Sequence, residues 1–190
     1  MNYHGLTYPD QNNGDGLRVV LWLSGCSHHC KECQNPQTWN PDSGILFDDL
    51  AEEELFRELN KDYISGITFT GGDPLHEENL DDVLRLINRI RLLCPDKTIW
   101  LYTGYSWSDV MDYQDVADTN NEDSKFYADL IEGLNMLGRK EIIKKCDVLV
   151  DGRYIHSQRD ITLPWCGSAN QKVIDVKQTL QKGEVILWKS

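Results

Sequence analysis

The 190-residue sequence predicts an α/β fold on a mostly parallel sheet, and three observations carry that prediction. Continuous apolar runs such as LRVVLWLSG read as strands buried on both faces. Helical stretches of roughly 10 to 15 residues separate them, as in β-α-β units with right-handed crossovers. Glycine-bearing loops, SGC and TGGDP, follow two of the runs, at the strand ends where such folds place their chemistry.

In chain order, residues 17–25 give the first strand. Residues 46–61 set Leu55 and Leu59 four apart among acidic residues, with Asp48 and Asp49 near the start, which predicts a helix. SGITFTGGDPL is a second strand broken by Gly71, Gly72 and Pro74. Between residues 80 and 93, Val83, Leu84, Ile87, Ile90 and Leu93 recur at helical spacing until Pro95 stops the pattern. KTIWLYTGY is a third strand with Gly104 at its exit. Residues 107–140 read as an insertion, a polar interval QDVADTNNEDSK followed by a helix around 126–137. CDVLVDG is a fourth strand ending in an Asp-Gly turn, and EVILWK is a short last strand. Trp22 and Trp100 sit inside strand runs and read as core. One domain spanning 1–190 is expected, with no repeat and no low-complexity tract.

Charge narrows the function. Lys and Arg number 19 against 31 Asp and Glu, a net charge of −12, so the surface lacks the basic footprint that nucleic acid or an anionic membrane requires. Residues 1–16 show no charged segment leading into an apolar one, and no run approaches about 18 apolar residues. A cytoplasmic protein is expected, in which six cysteines read as metal ligands or isolated thiols rather than a disulfide framework.

Three of those cysteines, Cys26, Cys30 and Cys33, crowd into eight positions of GCSHHCKECQNPQTW. The intervening residues are too polar for a buried helical face, and three thiols cannot all pair with one another. Thiolate is a soft ligand suited to zinc and to iron–sulfur clusters. Three thiolates on a four-iron cluster leave one iron open to a small molecule. A zinc site would close with four ligands, and His28 or His29 could supply the fourth. Cys94, Cys146 and Cys166 have no compact metal spacing and read as ordinary thiols. Gly71-Gly72-Asp73-Pro74 alone is an ordinary turn, and Asp73 reads as a ligand contact, as a solvated turn acid or as a cap for the segment from residue 76.

Together, Cys26-X3-Cys30-X2-Cys33 after the first strand and the Gly-Gly-acidic-Pro loop after the second resemble the radical S-adenosylmethionine superfamily. Within it, GDGLRVVLWLSGC, CQNPQTWN, GITFTGGDPL, CDVLVDGRY and GSANQKVIDV are similar, in order, to stretches of the anaerobic ribonucleoside-triphosphate reductase-activating proteins. The resemblance covers most of the chain outside residues 107–140. It implies a six-stranded partial (open) parallel β/α barrel and a 4Fe-4S cluster on Cys26, Cys30 and Cys33. It also implies S-adenosyl-L-methionine held by Glu32, Cys33, Gln34, Gly71, Gly72 and Asp73, although Glu32 stands where the superfamily often has an aromatic residue. The implied activity is that of an oxidoreductase that installs a glycyl radical in an anaerobic ribonucleotide reductase. No catalytic side chain beyond cluster and ligand is implied, and the partner supplying electrons would be a low-potential donor such as flavodoxin or ferredoxin. A radical enzyme acting on a small molecule and a zinc-stabilised interaction module are the alternatives.

Overall fold

The computed structural model describes residues 1–113 and 123–189. Its strands are β1 (Asn2–Asp10), β2 (Arg18–Leu23), β3 (Ile45–Leu46), β4 (Gly66–Gly71), β5 (Thr98–Tyr102), β6 (Val148–Asp151) and β7 (Lys172–Asp175). They form one seven-stranded sheet in the order β3-β1-β2-β4-β5-β6-β7. The four central strands, β2, β4, β5 and β6, are parallel neighbours. Antiparallel strands flank them, β1 and β3 on one side and β7 on the other. The chain is thus a mixed α/β protein on an open sheet, with antiparallel edges around the expected parallel centre.

The helices are α1 (Asp49–Leu59), α2 (Leu80–Leu93), α3 (Trp107–Met111), α4 (Asp123–Lys145) and α5 (Val176–Lys182). Asp48 caps α1 by accepting from the Ala51 N–H at 3.0 Å. Cys94 is the C-cap of α2, just ahead of Pro95. Ser106 and Asp109 form a capping box on α3. The expected helix at 126–137 falls within the longer α4, while residues 114–122 of the expected polar interval lie outside the described residues. No helix among the described residues is long and apolar enough to cross a membrane.

Strand alternation sorts the side chains into two layers. Leu21, Phe69, Leu101 and Leu149 stand in one row across the parallel strands. With Leu55 and Leu59 of α1 and Val83, Leu86, Ile87 and Ile90 of α2 they form the main core. Each such fully buried side chain contributes roughly 1.5–3 kcal/mol of transfer free energy. The next row, Val20, Thr68, Trp100 and Val148, faces the other way. There Trp100, Val148 and Val150 make a smaller cluster with Tyr102, Trp165 and Trp188.

Arg18 closes one end of that second face. It is fully buried, bonds Thr68 Oγ1 at 2.7 Å and Thr98 Oγ1 at 3.0 Å, and reaches the carbonyls of Asp15, Ile67 and Thr98. Its guanidinium lies 5.3 Å from the Trp100 ring centre. The expectation that Trp100 is core therefore holds, whereas Trp22 is only half buried and lines a cavity.

Two differences from the sequence reading have local causes. EVILWK contributes no strand, only an isolated bridge from Leu187 to Ile174, because three of its apolar residues, Val185, Ile186 and Leu187, are left at least partly exposed beside the short β7. β1 was unannounced by any apolar run: as an outer strand with register shifts on either side of Gly5–Thr7, it carries little continuous hydrophobicity.

Candidate functional site

The loops leaving β2 and β4 interlock. Gly72 N–H donates to Leu23 O at 2.7 Å and Asp73 N–H to Gly25 O at 2.7 Å, while Gly25 and Cys26 bond back to Thr38 O and Trp39 O. The Asn79 amide ties Ser24 O to Asp73 O from beneath. The glycine pair makes this approach possible. Gly71 has φ 104°, and a Cβ there would come within 2.6 Å of Leu23 N; a Cβ on Gly72 would overlap Gly25 O.

A cavity of about 490 Å³ opens beside the interlock on the face away from the main core, and Cys26, Cys30, Cys33, Gln34 and Gly71 all line it. Trp22, Tyr102 and Trp165 form its apolar wall. Three residues expected at the ligand do not border it. Glu32 points into solvent, Gly72 is taken up by the interlock, and Asp73 lies buried behind the loops. Within the cysteine run, His29 and Glu32 hold left-handed backbones at φ 47° and 58°, an arrangement that costs non-glycine residues roughly 1–3 kcal/mol each.

The electrostatics of the three thiols are specific. Burial, then the charge of Asp73, pushes the Cys26 thiol up to about 11, and the N–H groups of His28 and His29 oppose that rise. Burial also raises Cys30, against the backbone N–H of Tyr154. The Asn35 N–H donates to Cys33 Sγ at 3.4 Å. Three thiols on one cavity, each met by backbone N–H groups, fit the thiolate ligation and N–H···S bonding of an iron–sulfur cluster. Among the described residues no three His, Cys, Asp or Glu side chains are drawn together as around a single ion.

His28 is not free to act as a fourth ligand. Its Nε2 stands 2.8 Å from Asp73 Oδ2, a close approach although poorly aligned as a hydrogen bond, since neither ring nitrogen has a well-directed partner. Asp73 also accepts from Thr103 Oγ1 at 2.9 Å, the Gly104 N–H at 2.9 Å and the Leu75 N–H at 2.8 Å. Burial alone would push the Asp73 carboxyl up, but His28 and the N–H groups of Gly104 and Leu75 outweigh it and hold the carboxyl below the usual range. The bond to Leu75 makes Asp73 a turn acid as well. Thr103 and Gly104 were missed in the sequence, where only their place at a strand exit marks them.

The loop after β6 forms the opposite wall. Gln171 clasps it, accepting from the Gly167 and Ser168 N–H groups at 2.9 and 3.2 Å and donating to Gly152 O at 2.9 Å. Asn170 donates to Arg153 O at 2.8 Å. These contacts give a physical role to the GSANQ stretch. Cys166 lies on this wall, and burial pushes its thiol up to about 11. Cys94 and Cys146 are buried away from the cavity, bonded to Asn60 Oδ1 and Ile142 O.

Fold and site thus define an α/β protein built around a cysteine loop for an iron–sulfur cluster, and residues 12–174 match the family model of the 4Fe-4S single cluster domain. Close relatives narrow the class. The chain is 37% identical to the anaerobic ribonucleoside-triphosphate reductase-activating protein of Haemophilus influenzae, over 90% of this chain and 96% of that protein. The proteins of the same name from Escherichia coli (strain K12) and enterobacteria phage T4 are 37% and 35% identical, over 91% of this chain and 97% and 93% of theirs. The chain belongs to the family of anaerobic ribonucleoside-triphosphate reductase-activating proteins.

Proposed function

We propose that this protein activates an anaerobic ribonucleoside-triphosphate reductase by radical S-adenosylmethionine chemistry at a 4Fe-4S cluster held by Cys26, Cys30 and Cys33. The observation that carries the reading is the convergence of those three thiols, with Gly71 of the β4 loop, on one cavity in a chain of this family. We read the open sheet, with that cavity on the face away from the helices, as a partial barrel of the radical S-adenosylmethionine type.

When bound, cluster and ligand supply a one-electron cleavage that yields methionine and a 5′-deoxyadenosyl radical, which takes a hydrogen atom from a glycine Cα of the reductase to leave 5′-deoxyadenosine and a glycyl radical. The chain's own residues do the rest. The backbone N–H groups meeting the sulfurs stabilise thiolate charge. The interlocked glycine loop fixes the height of the β4 edge, bringing Gly71, and the backbone of Cys33 and Gln34, to the cavity. Trp22, Tyr102 and Trp165 shield the cavity from water, which protects a reactive radical. Glu32, Gly72 and Asp73 act at the ligand through the backbone or through neighbouring groups. The reductase is the macromolecular partner, a flavodoxin or ferredoxin the electron donor, and the cytoplasm the site of action.

The test is anoxic mixing of the iron-loaded protein with its cognate reductase, S-adenosylmethionine and a reductant. Electron paramagnetic resonance should show a doublet on the reductase that disappears in Cys26→Ala, Cys30→Ala or Cys33→Ala. S-adenosylmethionine cleavage with no reductase radical, given a competent reductase, would discard the activase assignment; no cleavage from a loaded, reduced protein would discard the chemistry as well.

A further inference from the structure

Of residues 26–33, His28 alone is buried, its side chain 5% exposed. The rest of the run is exposed or half-buried, with few backbone anchors: Cys26 N–H on Trp39 O and Cys33 N–H on Cys30 O. The imidazole enters a slot made by two other strand exits. Nε2 meets Asp73 of the β4 loop, whose carboxylate is fixed by Thr103 and Gly104 at the end of β5. The ring packs edge-on against Tyr105, centroids 4.6 Å apart, and lies so close to Gly104 that a Cβ there would overlap it. Tyr105 in turn is stacked by the buried Arg139 at 4.6 Å.

We propose that His28 is the positioning residue of the cysteine loop, a knob seated between Asp73, Gly104 and Tyr105 that sets where Cys26 and Cys30 present their sulfurs. This rests on reading the loop as the cluster loop. It gives Asp73 a reach to the cysteines through His28, and it explains why residue 104 is glycine although its φ is not positive. The loop has no other buried side chain to hold it, so the seating of His28, by its polar approach to Asp73 and its packing against Gly104 and Tyr105, decides the spacing of the thiols on either side of it.

The test uses the full chain, reconstituted anoxically with iron and sulfide, and reads retention of iron against a chelator together with the paramagnetic resonance spectrum of the reduced protein. Circular dichroism establishes that each variant is folded. His28→Met keeps side-chain bulk and removes the donor, and should weaken iron retention on the order of 10-fold and alter the spectrum, the scale expected when a group orienting metal ligands is lost. His28→Gln places an amide N–H near the position of Nε2 and should restore both. Gly104→Ala, more than seventy residues away in sequence, should reproduce the Met phenotype by displacing the ring, and should add nothing in a His28→Met background. Wild-type retention and spectrum in His28→Met, or losses that add in full in the double variant, overturn the proposal. A wild-type chain that takes up no iron overturns it together with the cluster reading. Neither readout involves S-adenosylmethionine or the reductase, so failure of the proposed activity and failure of this inference are distinguishable.

Discussion

A methyl group on Gly72 would overlap the carbonyl oxygen of Gly25, although Gly72 has no left-handed φ to demand glycine. The requirement is closeness between the two loops. Gly72→Ala should therefore lower stability by roughly 1–3 kcal/mol through overpacking and impair iron uptake, because it drives the β4 loop off the base of the cysteine loop; urea unfolding and iron analysis check both. Gly183 is a control, with φ 74° but nothing within 4 Å of a Cβ, so Gly183→Ala should cost only backbone strain of about 1–2 kcal/mol and leave iron uptake intact. The cysteines divide similarly. Alanine at Cys26, Cys30 or Cys33 should abolish stable iron binding, while alanine at Cys94 or Cys146 should cost about 1 kcal/mol of packing and leave it. Spacing and residue type single out the three cysteines in the sequence, and the structure brings all three to one cavity. The partner of His28 was not legible, because Asp73 and Gly104 meet it only after three strands are placed side by side.

At the scale of elements, the parallel centre was readable because β2, β4, β5 and β6 are covered on both sides and so carry unbroken apolar runs. The edges were not. β1 exposes His4, Thr7 and Pro9 at irregular intervals and contains Gly5, and β7 runs from exposed Lys172 to buried Ile174 and Asp175, so neither offers the period of two that a strand reading needs. Residues 185–189, by contrast, have the composition of a strand but join β7 only through one bridge at Leu187 and the backbone bonds of Ile186 and Trp188 beside it. The loop between β6 and β7 is held by side chains around a single bridge between Arg159 and Ser168. Gln171→Ala removes four hydrogen bonds of roughly 0.5–1.5 kcal/mol each, and should speed amide hydrogen exchange over residues 153–169 while leaving exchange in β2 and β4 unchanged. Equal protection in the variant would mean that the backbone bond between Ala169 and Gln158 suffices to hold this wall.

Across the whole molecule, one carboxylate joins the sheet to two helices at the edge opposite the cysteine loop. Asp147 Oδ2 accepts from the Ile99 N–H of β5 at 2.7 Å and from Arg91 of α2 at 2.8 Å, and Oδ1 meets Lys177 of α5 at 2.6 Å. Burial alone would raise the Asp147 carboxyl, but Lys177, the Ile99 N–H and Arg91 outweigh it and hold it below its ordinary value of 3.8. A carboxylate depressed in the folded state binds its proton more readily when the chain unfolds. Its stabilisation is therefore present above the unfolded value and is lost as pH falls through the folded one. Asp73 shifts in the same direction, so acid destabilisation of the wild type alone would not single out either group. The difference between wild type and Asp147→Asn does. At neutral pH the variant should lose about 1–3 kcal/mol, as expected for hydrogen bonds to a charged acceptor. That deficit should begin to shrink as the pH falls to about 4, the unfolded value, and go on shrinking below it until the folded carboxylate takes up its proton and surrenders the same interactions. Urea unfolding of both proteins across that interval gives the answer: converging curves place the acid sensitivity at this junction, and parallel curves move it elsewhere, with Asp73 and its ring of donors next in line.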